Sequence, residues 1–454
     1  PLPLWRGESV RQHYRRGTNA VETVGFVEEA RLIVLTAAAG DSLAMELVPR
    51  SSRQGRALPA ISVNVAGGIR CAHAERAGVL DLLCRVGRGL PPVVETDSRE
   101  LFRECDRVMR EAEDAHRWGS RSRRLGPGAP RWARAMYARS LLVLHALTDA
   151  RTGAVAAGAR DGWAYVWPRD AATAALAYEA AGYRGEAKRV AGFLSGLGPR
   201  LGEAARFDGA GAPVAGRGPQ GDAAGWIAVA AAAVTDDRAP RPAAATPVAD
   251  AAVELPARPR AARPANRAAL DLWRAMATQR SNARNLPDYQ EGSPGNYLGN
   301  AIAVGEPARR IAAEFGTPRG LVREAGNPAS GLDAAAAWAV RPFSSPGLYP
   351  AVRRTLQRLA AKSTPFGITP GEGWKGGEDP WTAPTAWSAW SLAALGDRAV
   401  ALRLLAELRR AATPAGALPE RVDAKTGVPR STTPLTWSHA FAILALQQLW
   451  PGRP

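Results

Sequence analysis

Cysteine is scarce: Cys71, Cys84 and Cys105 are the only three in 454 residues. An odd count with no CxxC spacing excludes a disulfide framework and a cysteine-based zinc site, and leaves room for one bridge at most. Cys71 and His73 could share a metal, but no second ligand pair stands near them in sequence, so no metal is expected. Long apolar runs are missing too. The longest candidate, residues 226–234, falls far short of the roughly 20 residues that cross a bilayer as a helix, and no membrane span is expected. No GxxxxGK[ST] occurs, and Gly209-Ala-Gly211-Ala-Pro-Val214 breaks GxGxxG at its last position, which removes the usual phosphate cradles. No cofactor is expected. His439 has no identifiable Cys or Ser nucleophile as partner, so a structural hydrogen-bonding role is expected of it in place of a catalytic triad.

What is present describes a folded chain. Hydrophobic residues make up 46% and charged residues 22%, an ordinary globular composition. A length of 454 residues allows two or three domains at roughly 150 residues each. Lys plus Arg number 59 against 42 Asp plus Glu, a formal charge of +17, so a polyanionic partner must be considered. The excess is nearly all arginine, scattered along an alanine-rich chain. The densest basic stretch, residues 117–131, also holds Gly, Ser and Pro and reads as a solvated linker. There is no reader motif, and acidic residues stand among the aromatic clusters, so no nucleic-acid partner is expected. Nothing in the composition assigns a compartment.

Three regions follow from the patterning. Residues 1–95 carry short β-prone runs at 32–36, 43–48 and 61–65 separated by Gly- and Ser-bearing turns, a small β region. Residues 96–129 form a linker, opening with an amphipathic helix in which Leu101, Phe102, Cys105, Val108 and Met109 recur at helical spacings. From 130 to 454 we count twelve helix-like segments, beginning near Trp132, Ala171, Gly185, Asp222, Asn266, Tyr297, Ala308, Leu332, Tyr349, Ala383, Ala399 and Thr436. Twelve helices with almost no β pattern fit six αα-hairpins closed in a ring as well as an irregular stack. The Ala/Pro/Arg stretch at 236–267 reads as a long loop or insertion.

Four clusters carry chemistry. Trp163-Ala-Tyr165-Val-Trp167-Pro-Arg169-Asp170 alternates aromatics along an extended segment and ends on a charged pair at a helix start. Asp170 could simply cap that helix while the rings fill core. Flat rings beside a fixed donor–acceptor pair are also what grips a sugar, whose C–H face stacks while its hydroxyls need polar partners. Trp374-Lys-Gly-Gly-Glu378-Asp379-Pro-Trp381 is a second aromatic patch in a Gly-rich loop. The third is Leu418-Pro-Glu420-Arg421 with Asp423-Ala-Lys-Thr-Gly427, followed by Trp437-Ser438-His439. The fourth is Leu286-Pro-Asp288-Tyr289-Gln290-Glu291-Gly292, a carboxylate-bearing loop.

Together, GWAYVWPRD at 162–170, GGEDPW at 376–381 and LPE…DAKTG.P…PLTWSHA at 418–440 resemble glycoside hydrolase family 15, the glucoamylase family, from about Trp132 to Leu449. The resemblance implies a mainly α fold, an (α/α)6 barrel over 130–454 with a reduced β-sandwich-like region and helical linker before it. It implies Glu420 as general base on water and Glu291 as general acid on the glycosidic oxygen. Arg169 and Asp170 would grip the terminal sugar, Trp163, Tyr165, Trp167 and Trp381 would wall the pocket, and Gln220 and Asp222 fall at a polar motif ahead of the fourth helix. The implied activity is inverting, exo-acting release of β-glucose from α-glucans or oligosaccharides. Trehalose, isomalto-linked dextran, or a silent glucan-binding role are the alternatives; two retained glutamates speak against silence. Three positions depart from the family: Gln290 replaces a Trp before the acid, Arg421 a Gln after the base, and Trp163 a Tyr. Arg421 beside Glu420 would favour an ionised base if its guanidinium points the same way.

Overall fold

The computed structural model describes residues 11–15, 18–27, 30–39, 42–51, 71–85, 97–159, 162–235 and 297–452. They divide into two compact units, Pro1–Arg121 with Pro414–Gly416, and Ser122–Thr413 with Ala417–Pro454.

In the first unit, strands β1 (Arg11–Tyr14), β2 (Val21–Val27), β3 (Ala30–Ala39), β4 (Ser42–Ser51), β5 (Cys71–Arg76) and β6 (Val79–Arg85) form one antiparallel sheet ordered β1-β2-β3-β4-β6-β5. The runs at 32–36 and 43–48 lie in β3 and β4; the run at 61–65 lies outside the described residues. Side chains alternate across the pleat, and the register Val34↔Leu47, Ala37↔Ala44 and Met45↔Leu82 sorts them into two apolar faces. Leu32, Val34, Leu47 and Leu82 form one cluster. The other face, with Ala20, Ala37, Ala44 and Leu83, is small enough to seat helix α1 (Ser98–Ser120), whose Leu101, Cys105, Val108 and Ala112 form a single buried stripe. Asp97 starts that helix by accepting the amide of Arg99.

Cys71 and Cys84 stand opposite each other on β5 and β6 and are joined as a disulfide, which uses the one bridge the count allows and removes Cys71 as a metal ligand. Cys105 remains a buried thiol, pushed up to about 12 chiefly by burial and then by Asp81 and Glu46.

The second unit is helical. Its helices are α2 (Arg131–Ala146), α3 (Pro168–Ala180), α4 (Arg184–Gly196), α5 (Ala223–Thr235), α6 (Leu298–Ala303), α7 (Ala308–Phe315), α8 (Tyr349–Ala361), α9 (Thr382–Ala394), α10 (Arg398–Ala411) and α11 (Thr436–Leu449). Two kinds alternate. α3, α5, α6, α9 and α11 are rich in Ala, Ser, Thr and Trp and are buried nearly all round, whereas α4, α8 and α10 bury a stripe and expose arginines. The 3-10 helix Ala334–Ala339 belongs to the buried kind. Around the core α11 touches α3, α3 touches α5, α5 touches α6, α6 touches the 3-10 helix, that helix touches α9, and α9 touches α11. Trp226, Trp338, Trp387, Trp437 and Phe441 fill the centre in edge-to-face contacts of 5.2–6.1 Å between the neighbours Trp226–Trp338, Trp387–Trp437 and Trp226–Phe441.

Two expectations change here. The helix expected near Leu332 is the 3-10 helix, begun by Asp333 accepting the amide of Ala335 at 2.8 Å and closed by Pro342, which disfavours helical backbone at Arg341. Between α7 and it lies a small antiparallel sheet absent from the sequence reading: β7 (Gly316–Thr317), β8 (Gly320–Glu324) and β9 (Asn327–Leu332). Its Gly- and Pro-bearing strands have little β-propensity, and side chains stitch it, with Arg323 donating to Ser330 O at 2.9 Å and Ser330 Oγ accepting the amide of Glu324 at 3.0 Å. The expected helix near Asn266, the stretch 236–267 and the Glu291 loop lie outside the described residues.

Candidate active site

Connections at the starts of the buried helices meet around a cavity of about 340 Å³ in the helical unit. Among the described residues six tryptophans line it: Trp163, Trp167, Trp374, Trp381, Trp387 and Trp437. Arg169, Asp170 and Glu420 line it as well. Of the residues named from sequence, Trp163, Trp167, Arg169, Asp170, Trp381 and Glu420 therefore meet at one place. Tyr165 does not line it. The extended segment that bears it is tied down by the amides of Ala157 and Gly158, which donate to the carbonyls of Tyr165 and Trp163 at 2.9 Å. Its ring packs instead beside Trp167 and Ala205, under the Arg206 guanidinium at 4.9 Å. Glu291 lies outside the described residues.

Pro168 opens α3 with its ring already at helical φ, so Arg169 and Asp170 enter the first turn inside the unit, each 4% exposed. Trp167, not Asp170, is the capping position. Arg169 Nη1 donates to Asp222 Oδ2 at 2.7 Å and to Gln220 Oε1 at 3.2 Å, and its guanidinium lies 4.5 Å from the Trp437 ring centroid. Burial pushes the Asp170 carboxyl up to about 7; Arg169 opposes that shift, and Asp222 and Glu420 add to it. Asp170 is thus a buried carboxyl that can donate or accept near neutrality.

Glu420 is 8% exposed and fixed on every side. Its amide donates to Thr432 O at 2.9 Å and its carbonyl accepts from the Thr382 amide at 3.0 Å, which stitches the loop to the start of α9. Trp163 Nε1 donates to Oε1 at 3.2 Å, and Ser431 Oγ donates to Oε2. The loop itself turns on Asp423, which accepts the amides of Lys425 and Thr426, and on Gly427 at φ +73°, where a Cβ would meet the Phe366 ring at 2.4 Å. Those bonds, Thr426 first, hold the Asp423 carboxyl down to about 2. Arg421 faces Asp379 at 3.8 Å, so its charge is shared with a carboxylate other than the one beside it in sequence.

Behind this loop His439 is fully buried. Its Nε2 accepts the Leu418 amide at 2.9 Å and its Nδ1 pairs with Ser140 Oγ at 2.9 Å. That arrangement requires neutral imidazole with the proton on Nδ1, in keeping with a pKa held down to about 3 by burial and then by Arg139. It is a structural hinge pin for the Glu420 loop.

The expected catalytic and binding side chains did not include Trp374, Trp387 and Trp437, which line the cavity, nor Asp222 and Ser431, which hold Arg169 and Glu420. Asp222, which holds Arg169, had its signal in the Gln220-x-Asp222 pair ahead of α5. Ser431 had none, since a single serine eleven residues beyond Glu420 looks like any turn residue.

Among solved structures the chain is similar to a bacterial glucoamylase complexed with acarbose, at TM-score 0.67 and 13% identity over 97% of this chain and 85% of that one. The fold is that of the glucoamylases. A wild-type glycosidase is similar at TM-score 0.54 and 21% identity over 71% of this chain and 99% of its own. A glucoamylase from Hormoconis resinae is similar at TM-score 0.51 and 15% identity, over 70% of this chain and 72% of that one. No protein-family model matches the sequence, and no curated protein matches it by sequence. At such identities the glucoamylase likeness is one of backbone architecture.

Proposed function

We propose that the chain is a glycoside hydrolase that removes glucose from non-reducing ends of α-glucans or oligosaccharides with inversion. The observation that carries this reading is Glu420: a carboxylate with both oxygens aimed by donors, buried at a tryptophan-lined cavity beside Arg169 and Asp170. The ring of neighbour contacts from α11 through α3, α5, α6, the 3-10 helix and α9 supports an (α/α)6 barrel as the scaffold, with the sheet and its helix as a reduced N-terminal domain.

Inversion requires an acid on the leaving oxygen and a base on the opposite face, with roughly 6.5–9.5 Å between carboxyl groups for one water. In this reading Glu420 takes the proton of that water while its own position is fixed by Trp163 and Ser431. Glu291, by resemblance, donates to the glycosidic oxygen. Arg169 and Asp170 hold the terminal sugar's hydroxyls, and the indoles of Trp163, Trp167 and Trp381 stack on its C–H faces. Arg169 is preset for this by Asp222, so its orientation costs little on binding. The test is proton NMR of the protein with maltotetraose, isomaltose and trehalose. β-Glucose should appear first from maltotetraose, and Glu420→Gln should lower that rate by roughly a thousandfold or more. α-Glucose as first product, or an undiminished rate in the variant, would sink the assignment.

A further inference from the structure

We infer that Arg323 is a positioning residue for substrate binding: through it the β7–β9 sheet holds Trp374 as a fixed wall of the cavity. This rests on the hydrolase reading above and deepens it. The sheet supplies no residue to the cavity lining itself, yet its side chains reach the loop that does. Arg323, on β8, is 11% exposed and uses all three of its nitrogens. Nε donates to Asp333 Oδ2 at 3.1 Å, Nη1 to Ser330 O at 2.9 Å, and Nη2 to Glu372 O at 2.9 Å. Its guanidinium carbon stands 5.2 Å from the centroid of the Trp374 ring.

The two backbones approach as closely as glycine permits. The Glu372 amide donates to Leu332 O at 2.9 Å and the Ala334 amide to Pro370 O at 2.9 Å. At Gly331, where φ is +80°, a Cβ would meet Glu372 O at 2.6 Å, and at Gly371 one would meet Leu332 O at 2.5 Å. The Glu372 carboxylate closes the join from outside, accepting from Arg319 at 2.5 Å, from Lys362 at 2.9 Å and from the Leu332 amide at 3.3 Å. The chain is therefore fixed on the sheet just before it reaches Trp374.

Beyond Trp374 the chain runs through Gly376 and Gly377, which have no side chain to anchor it, before it reaches Trp381. Trp374 is nevertheless 8% exposed, lines the cavity, and meets Trp381 edge to face at 5.9 Å and 84°. Arg323 supplies the anchor from the other side. An indole already held when the sugar arrives loses little freedom on binding, whereas a loose one must be ordered at that moment. The Glu420 loop has its own bonds, to Thr432, Thr382, Trp163 and Ser431, so loosening Trp374 weakens binding and spares the chemical step. Lysine at 323 would keep a cation beside Asp333 but could not donate along three fixed directions.

Maltotetraose kinetics on Arg323→Lys, Trp374→Ala and the double variant test the inference, with urea midpoints showing that each is folded. KM should rise about tenfold in Trp374→Ala and about fivefold in Arg323→Lys, with kcat kept within about twofold. In the double variant KM should match that of Trp374→Ala alone, because Arg323 then has no ring to hold. An unchanged KM in either folded single variant, a fall in kcat at unchanged KM, or effects that multiply in the double variant overturns the inference while the hydrolase reading stands. Should Arg323→Lys not fold, Arg319→Gln/Lys362→Gln decides, since these side chains are 53% and 67% exposed and grip the same join from outside. A KM raised about twofold at constant kcat then supports the inference, and an unchanged KM overturns it. If maltotetraose is not cut, the hydrolase reading fails by itself. Calorimetric titration with maltotetraose then decides: weaker binding by Arg323→Lys and Trp374→Ala than by the unmodified protein supports the positioning role, and equal or absent binding overturns it.

Discussion

Two arginine–carboxylate clusters in this protein are built from the same parts and differ in what surrounds them. In the sheet unit Arg76 sends Nε to Asp81 at 2.8 Å and both Nη groups to Asp106 at 3.2 and 2.5 Å, with Phe102 against its plane at 4.9 Å. Burial raises the pKa of Asp81 and of Glu46 nearby. In the helical unit Arg169 sends one arm to Asp222 and Gln220, and burial raises that of Asp170. Perturbed carboxyls beside an arginine occur in both. What separates them is that every nitrogen of Arg76 is already spent on a protein carboxylate, whereas Arg169 and Asp170 line open space walled by indoles. A shifted pKa marks burial, and burial becomes a site only where a cavity lets something else arrive.

The sharpest way to break that comparison is to remove one partner from each cluster. Asp222→Asn leaves the Arg169 charge with 5% side-chain exposure and no anion at 2.7 Å, and should cost about 3–5 kcal/mol of unfolding free energy along with most substrate binding. Arg76→Gln should cost less, about 1–3 kcal/mol, because its side chain is 37% exposed and buried Asp81 can take up a proton when its cation is gone. Urea titration measures both. Hydrolysis should be lost in the first variant and retained in the second; equal effects on activity would erase the distinction between structural and functional clusters.

The same contrast explains what could be read from sequence. The Trp163–Asp170 run stood out as alternating aromatics ending on a charged pair at a helix start, whereas Glu420, in a loop well ahead of the next helix, gained a role only through the resemblance of its segment to the glucoamylase family. Helix starts were visible where Pro, Gly or a periodic apolar stripe marks them, as at Pro168, Tyr349 and Thr436. The β7–β9 sheet was invisible because its strands carry Gly, Pro, Asn and Ser and its backbone ladder is reinforced by Arg323 and Ser330, residues with no strand signature. The Cys71–Cys84 bridge is a consequence of register between two strands, which spacing alone does not contain. Asp222 and Ser431 act through residues distant in sequence, so their roles emerge only when the helical unit brings Arg169 and Glu420 to them.

A smaller effect separates two buried titratable groups around the site by sign. Asp170 has a folded pKa raised from 3.8 to about 7, so its protonated form stabilises the fold below pH 3.8 and that contribution is lost as pH rises through about 7. His439 has a folded pKa lowered from 6.5 to about 3, so its contribution is present above pH 6.5 and lost as pH falls through about 3. Between pH 3.8 and 6.5 the two slopes oppose each other. Asp170→Asn should therefore gain stability relative to the unmodified protein as pH rises across that interval, and His439→Gln should lose it. Urea midpoints read at steps across the interval give the difference curves, and a pH-independent difference for Asp170→Asn would show that its carboxyl is not held as the geometry implies.

The finest probe touches a single hydrogen bond. Trp163 Nε1 donates to Glu420 Oε1 at 3.2 Å, and Trp163→Phe keeps an aromatic wall while deleting that donor. Trp163 is partly buried and Ser431 still holds Glu420, so stability should fall by only about 1 kcal/mol, the size of one hydrogen bond. If the bond orients the base, kcat should fall about tenfold, near 1.4 kcal/mol, with KM little altered, since the loss is felt when the water's proton moves. Trp163→Tyr, which offers a hydroxyl from the same wall, should recover part of the rate. A raised KM with unchanged kcat would instead make Trp163 a stacking surface alone, and would leave Ser431 as the donor that aims Glu420.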